Sequence, residues 1–433
     1  MTNYEEISMR FIKRLGALAL VVISVSDCTN ANPGSKHYDP VDVGLRPQFL
    51  VDGLEDSKLK QRLKACENKK FYKSTFSIGH RGAPLQFPEH TRESYVAAAK
   101  MGAGILECDV TFTGDGELVC RHAQCDLHTT TNIISTELNS HCTVPWDHDN
   151  PNPGSVKCCA SDLTLAEFKT LKGKMDAANG SATSAEAFQD GTASWRTDLY
   201  NSRGTLMTHK ESIALFRELR VGFTPELKGG DSGANVQIED VFGSQEAYAQ
   251  RLIDEYVEAG VPAHRVWPQS FNLDDVLYWN ANTDFGDQAV YLDSRPIDPN
   301  NAETFVPSMA ELYDAGVKIV APPIPYLLTV TDSGDIVPSL YATTAKQAGL
   351  EIITWSLERS DLRNGSRTGT DAEGNPVATY YYGFDINPAA QAIKTDSDQF
   401  KALHVLAQDV GVLGVFSDWP ATTTYYANCF NVK

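Results

Sequence analysis

Ser77-Ile78-Gly79-His80-Arg81-Gly82-Ala83-Pro84 runs into Phe87-Pro88-Glu89-His90-Thr91, then a helical stretch from Glu93 to Met101. Ile105-Leu106-Glu107-Cys108-Asp109-Val110-Thr111 follows, and then Glu117-Leu118-Val119-Cys120-Arg121-His122. The pattern reads as strand, Gly/Pro turn, helix, strand, Gly turn, strand, with a histidine at the end of the first and third strands. Side chains alternate along a strand, so Glu107 and Asp109 share one face and Cys108 takes the other. Two carboxylates beside two strand-end histidines make a poor apolar core. They suit a hard cation flanked by an acid and a base.

Outward from this stretch the pattern repeats. Helical runs over 208–219, 245–259, 273–279, 308–315 and 338–348 alternate with short Val- and Ile-rich segments, which argues for parallel βα units. Strands centred near 78, 106, 222, 267, 290, 318, 353 and 414 make eight, the number that closes a (β/α)8 barrel of the α/β class. A doubly wound sheet is disfavoured because no Gly-x-Gly-x-x-Gly follows the first strand. The barrel is expected over 76–420, interrupted by polar, partly Cys-rich insertions at about 123–160, 177–203 and 359–387. A short amphipathic helix is expected over 163–171, a further helix over 388–406, and a short tail after Asp418.

In such a barrel the chemistry collects at the carboxyl ends of the strands. His80, Arg81, Glu107, Asp109, His122, Glu226, Lys228, Gln269, Trp355 and Asp418 all fall there. Glu226 and Lys228 again lie two apart on one face. Each alone has a structural reading: a hydrogen-bonded histidine, a barrel ion pair, a core tryptophan. Gln269 and Trp355 divide between lining a substrate and packing the core.

The ordered set His80-Arg81-Gly82, Pro88-Glu89-His90-Thr91, Glu107-Cys108-Asp109-Val110 and His122 resembles the glycerophosphodiester phosphodiesterase family, within the phosphatidylinositol-phosphodiesterase-like barrels. The resemblance implies a (β/α)8 barrel and a divalent metal, Ca²⁺ or Mg²⁺, on Glu107, Asp109 and Glu226. It also implies hydrolysis of a small glycerophosphodiester, such as glycerophosphocholine, to sn-glycerol 3-phosphate and an alcohol. His80 is assigned to the nucleophile and His122 to the leaving group, with the reverse left open. Arg81, Lys228, Gln269 and Trp355 would contact the substrate, with Glu89 and Asp418 behind the site. Two positions depart from the family: His90 stands where Asn is usual, and Ala123 follows His122 where Asp is common. The competing readings keep the barrel: a phospholipase D-like or phosphatidylinositol-cleaving enzyme, or a non-catalytic envelope protein that binds phosphodiesters. Polar insertions favour soluble head groups over membrane lipid.

The 433 residues carry 37 basic and 56 acidic side chains, a formal charge of −19. That balance argues against nucleic acid and polybasic membrane binding. Arg10, Lys13 and Arg14 before the apolar run Leu15–Val25 read as a signal peptide over 1–31, leaving no stable membrane insertion once cleaved. The expected location is secreted or periplasmic. Lipid attachment at Cys28 is the lesser reading, because Asp27 precedes it. Of nine cysteines, all but Cys28 would remain, an even set that reads as disulfides. Cys108 also reads as a plain buried thiol.

Overall fold

The computed structural model describes residues 40–149, 151–197, 199–362 and 392–433, and the backbone of 367–370 and 376–378. The expected signal peptide lies outside the described residues, as does most of the expected insertion at 359–387.

The strands of the main sheet are β1 (Ser74–Gly79), β2 (Ala103–Phe112), β3 (Leu118–Cys120), β4 (Gly222–Leu227), β5 (Gln269–Ser270), β6 (Val290–Leu292), β7 (Ile319–Ala321), β8 (Glu351–Leu357) and β9 (Gly414–Ser417). All except β3 pair in parallel in the order β1-β9-β8-β7-β6-β5-β4-β2, and β1 also pairs with β2. That last pairing closes an eight-stranded barrel, the expected (β/α)8 fold. Strand β3 is an antiparallel addition on the outer half of β2, with Val110 opposite Cys120.

The lumen is filled by Ile78, Ile105, Val290, Leu292, Ile319, Ala321, Ile353 and Phe416, all buried and in mutual contact. Mostly branched and aromatic side chains from six of the eight barrel strands make this floor. The polar residues at the strand ends stand above this apolar base. The wider core lies between strands and outer helices, where Tyr95, Tyr248, Tyr256, Trp279 and Tyr341 are buried.

Three local readings need correction. The residues after Asp418 are not a short tail but a helix, Pro420–Phe430. Its Thr-Thr-Thr-Tyr-Tyr run has poor intrinsic helix propensity. Burial of Ala421, Tyr425, Tyr426 and Ala427 overrides this, and Cys429 is tied to Cys66 before the barrel. The amphipathic helix expected over 163–171 is one turn, Leu165–Phe168. Cys108 is no free thiol: it is joined to Cys120 across β2 and β3, on the face away from the carboxylates.

The segments 123–160 and 177–203, expected as polar insertions, are less polar inside than their composition implied. Leu127, Ile133, Trp146, Leu163, Phe168, Ala185 and Phe188 form a second apolar cluster, with Trp146 and Phe188 ring centroids 5.2 Å apart. Short 3₁₀ turns rather than long helices carry it, so no periodicity announces it. Cys125–Cys159 and Cys142–Cys158 fasten it. The second of these closes a loop of sequence separation 16, for which loop-closure entropy predicts about 3 kcal/mol. Replacing Cys142 and Cys158 by alanine is expected to open this unit first. Protease nicking within 125–160 at a temperature where the barrel keeps its circular dichroism would report it; simultaneous melting would contradict it.

Candidate active site

The site begins with the turn after β1. Arg81 has φ +53° and Gly82 φ +92°, both left-handed. A Cβ on Gly82 would lie 2.3 Å from Ser94 Oγ, so only glycine fits there. A non-glycine residue such as Arg81 pays about 1–2 kcal/mol for this backbone. The surroundings hold it there: its N–H donates to Glu107 Oε2 (2.7 Å), and its carbonyl accepts from His90 N–H (3.0 Å) and Ser94 Oγ (3.2 Å). The turn thereby aims Arg81 inward, where Nη1 donates to Glu89 Oε2 at 2.8 Å.

Glu107, Asp109 and Glu226 meet at the centre, all three buried. One oxygen from each lies within 4.8 Å of the others. Gln269 Nε2 donates to the remaining Glu107 oxygen at 2.9 Å. Lys228 Nζ donates to Glu226 Oε1 at 2.5 Å and lies 3.5 Å from Asp109 Oδ2. His90 Nε2 also contacts Asp109 Oδ2 (3.0 Å), with its Nδ1 on Tyr95 Oη (2.9 Å). Asp109 Oδ1 and Gln269 Oε1 are buried without a hydrogen-bond partner among the described residues. Orphaned acceptors beside crowded carboxylates are the donor set that a hard, oxygen-seeking cation completes. The residues present fit such an ion. Glu89, His122 and Asp126 form a second triad within the same limit. Glu89 is committed to Arg81 and Asp126 to the Ala123 N–H (3.0 Å), so the first triad is the better ion site.

The charges respond to this crowding. Burial, then Asp109 and Glu226, push the Glu107 carboxyl well up. Burial likewise pushes Glu226 up to about 7, against the pull of Lys228. Asp109 goes the other way: burial raises it, but Lys228 and His90 together hold it well below the usual carboxylate range.

The two histidines flank the carboxylates. His80 Nδ1 contacts Asp418 Oδ1 at 2.5 Å, and its Nε2 lies 4.0 Å from Glu107 Oε2. Burial brings His80 down to about 4, with Asp418 opposing and Arg81 adding. It is therefore neutral near pH 7, and with Nδ1–H on the carboxylate its Nε2 is free to accept a proton. Burial, Arg81 and Lys228 also hold His122 well below its ordinary value. Ala123 supplies no carboxylate here; Asp126, three residues on, stands near the imidazole instead.

A cavity of about 60 Å³ joins these groups, lined by His80, Arg81, Glu107, His122, Glu226, Lys228 and Gln269 on its polar side. Phe271, Leu292, Trp355 and Phe416 form its apolar side. Trp355 Nε1 donates to the Ala321 carbonyl (2.8 Å), and its ring meets Phe271 edge-on with centroids 5.8 Å apart. Every residue expected at the site is thus in the cavity or one contact from it; Glu89, Asp109 and Asp418 stand behind the lining. Sequence reasoning missed Phe271, hidden at a strand end, and the contact of His90 with Asp109. It also missed Arg359, whose Nη1 donates to Asp418 Oδ2 at 2.8 Å.

A model of the glycerophosphoryl diester phosphodiesterase family matches residues 80–422. A protein of Arthroderma benhamiae described as an extracellular protein is 43% identical over 260 residues, 60% of this chain and 100% of that one. The Arabidopsis thaliana glycerophosphodiester phosphodiesterase GDPD6 is 28% identical over 155 residues, 35% of this chain and 37% of that enzyme. A solved structure from Silicibacter pomeroyi that carries the same family name has a TM-score of 0.50 at 16% identity, covering 85% of this chain and 98% of that one. At that identity the likeness is one of fold.

Proposed function

This chain belongs to the glycerophosphoryl diester phosphodiesterase family and by that membership is a phosphoric diester hydrolase; from that premise we propose that it is a secreted, metal-dependent enzyme that splits small glycerophosphodiesters into sn-glycerol 3-phosphate and an alcohol. The observation that carries the reading is the buried triad Glu107, Asp109 and Glu226 with an orphaned Asp109 oxygen, in one cavity with His80 and His122. The four disulfides fit an oxidising compartment. No described helix is long and apolar enough to cross a membrane.

A phosphodiester is a stable anion, and the barrier to attack on it is largely electrostatic. Ca²⁺ or Mg²⁺ held by Glu107, Asp109 and Glu226 would supply positive charge to a phosphoryl oxygen. Arg81 and Lys228 add fixed positive charge at the same point, and their carboxylate partners hold them in place before substrate arrives. His80 Nε2 accepts the proton of the attacking hydroxyl or water, because Asp418 holds Nδ1 protonated. His122 returns a proton to the departing alkoxide. Trp355 and Phe271 give the carbons of the glycerol an apolar face, and Gln269 fixes Glu107. A small cavity of about 60 Å³ with charged groups along one side suits a soluble deacylated diester better than a lipid surface.

The test is release of glycerol 3-phosphate from glycerophosphocholine by the purified protein, with and without EDTA, and with Ca²⁺ or Mg²⁺ restored. Loss of turnover in EDTA and recovery with one of the ions is expected. Turnover untouched by exhaustive chelation would reject the metal; no turnover on several glycerophosphodiesters would reject the substrate class.

A further inference from the structure

Asp418, which orients His80, has its other oxygen on Arg359. Strands β8 and β9 bring the two together: Leu357 is in register with Ser417, and Asp418 N–H donates to the Leu357 carbonyl at 2.9 Å. Between Leu357 and Arg359 the backbone turns through Glu358 at φ +64°, a conformation a non-glycine residue adopts only when its surroundings impose it. They do. Glu358 is buried; its carboxylate accepts from Arg46, from Thr422 Oγ1 (2.5 Å) and from Gln399 Nε2 (3.2 Å). Its N–H donates to Gln399 Oε1 at 2.9 Å.

The far side of Arg359 is held by Asp176, which just precedes the 177–203 insertion, and through it by Arg196 of that insertion. Arg359 Nη2 lies 3.6 Å from Asp176 Oδ2, while Asp176 Oδ1 accepts from Arg196 at 2.5 Å. Arg196 also donates to the Pro84 carbonyl, in the turn that follows His80 and Arg81. The line Arg196, Asp176, Arg359, Asp418, His80 therefore starts in the insertion and ends at the imidazole. None of these five side chains is more than about one-fifth exposed.

We propose that Arg359 and Asp176 are positioning residues for His80: the insertion, through this ion-pair line, sets the orientation of the imidazole that takes the proton of the nucleophile. The proposal rests on the hydrolase reading above. A carboxylate held at one oxygen only can turn about its Cβ–Cγ bond, and the imidazole turns with it. A guanidinium on the second oxygen fixes the carboxylate plane and keeps Asp418 ionised. Asp176 in turn keeps Arg359 from swinging toward the anionic substrate. The insertion is then a part of the catalytic frame, not a surface appendage.

The experiment measures kcat and KM separately for Arg359→Ala, Arg359→Lys, Asp176→Asn and the Arg359→Ala/Asp176→Asn double variant. Two substrates are used, glycerophosphocholine and a glycerol phosphodiester with a nitrophenol leaving group. Arg359→Ala is expected to lower kcat by about 100-fold on both substrates, with KM within twofold, because the nucleophile side is needed whatever departs. Arg359→Lys should recover part of the loss, added guanidinium should recover part in Arg359→Ala, and Asp176→Asn should cost about tenfold. The double variant should lose no more than Arg359→Ala alone, since both act through one imidazole. A rise in KM with kcat unchanged would make Arg359 a phosphate ligand instead. Multiplicative losses would sever Asp176 from the line. If the wild type turns over substrate and all variants match it in kcat, the positioning role fails while the hydrolase reading stands.

Discussion

Glu107→Gln is expected to lower kcat/KM by about 10³-fold or more while leaving the metal-free protein at least as stable as the wild type. The loss follows from position. Glu107 is one of three carboxylates around the cation site, and it also accepts from the Arg81 N–H and from Gln269. An amide keeps the shape but removes the charge that would hold the ion, and with it stabilisation worth about 4 kcal/mol or more in the transition state. The unaltered stability follows from the same crowding. Its pKa is raised in the folded protein, by burial first and by Asp109 and Glu226 next. A carboxyl raised on folding contributes its stability below its ordinary value of 4.5 and loses it as pH rises toward the folded value. At neutral pH the metal-free protein therefore carries a strained acid that glutamine relieves. Thermal melts with and without Ca²⁺ or Mg²⁺ separate the two effects: the ion should raise the Tm of the wild type and not of the variant. An equal rise in both would remove Glu107 from the ion site.

The same opposition between stability and function explains how much was legible in the sequence. Strand alternation places Glu107 and Asp109 on one face with no tertiary information, because period 2 is a property of the backbone. The eight-strand count follows from short β-branched runs, which need burial on both faces and announce themselves. A strand-end His, Glu or Lys above such a run breaks the local pattern, and the breaks are where the site is.

Other parts depend on register or on irregular packing. Whether Cys108 meets Cys120 depends on how β3 lies along β2, which a Gly turn between them does not dictate. Arg359 stands at the start of a polar, Gly-rich stretch and reads as the edge of a surface loop; only the β8–β9 register puts it on Asp418. His90 reads as a substitution for Asn, but its ring spans from Tyr95 to Asp109, a span that needs the left-handed turn at His90 itself (φ +55°). The insertion hides its apolar cluster because turns and disulfides, not a repeating helix, bring Trp146 and Phe188 together.

Histidine 122 provides the second large effect, and its size depends on the substrate chosen. His122→Ala should lower kcat by about 10²–10⁴-fold on glycerophosphocholine, the range for losing a positioned acid. On a nitrophenyl diester the loss should shrink to less than about tenfold, since nitrophenolate leaves without a proton. His80→Ala should cost both substrates alike. The environment sharpens the test. Burial, then Arg81 and Lys228, hold His122 well below its ordinary value of 6.5 in the free protein. A bound phosphodiester places negative charge against those same cations and offsets them, so its pKa rises in the complex. The limb of the pH profile that reports this acid must therefore lie higher in kcat, which reads the complex, than in kcat/KM, which reads the free enzyme. Above that limb the rate falls as the proton is lost. If His122→Ala lost equally on both leaving groups, His122 would belong to the nucleophile side and His80 to the leaving group, and the Asp418–Arg359 line would then orient the acid rather than the base.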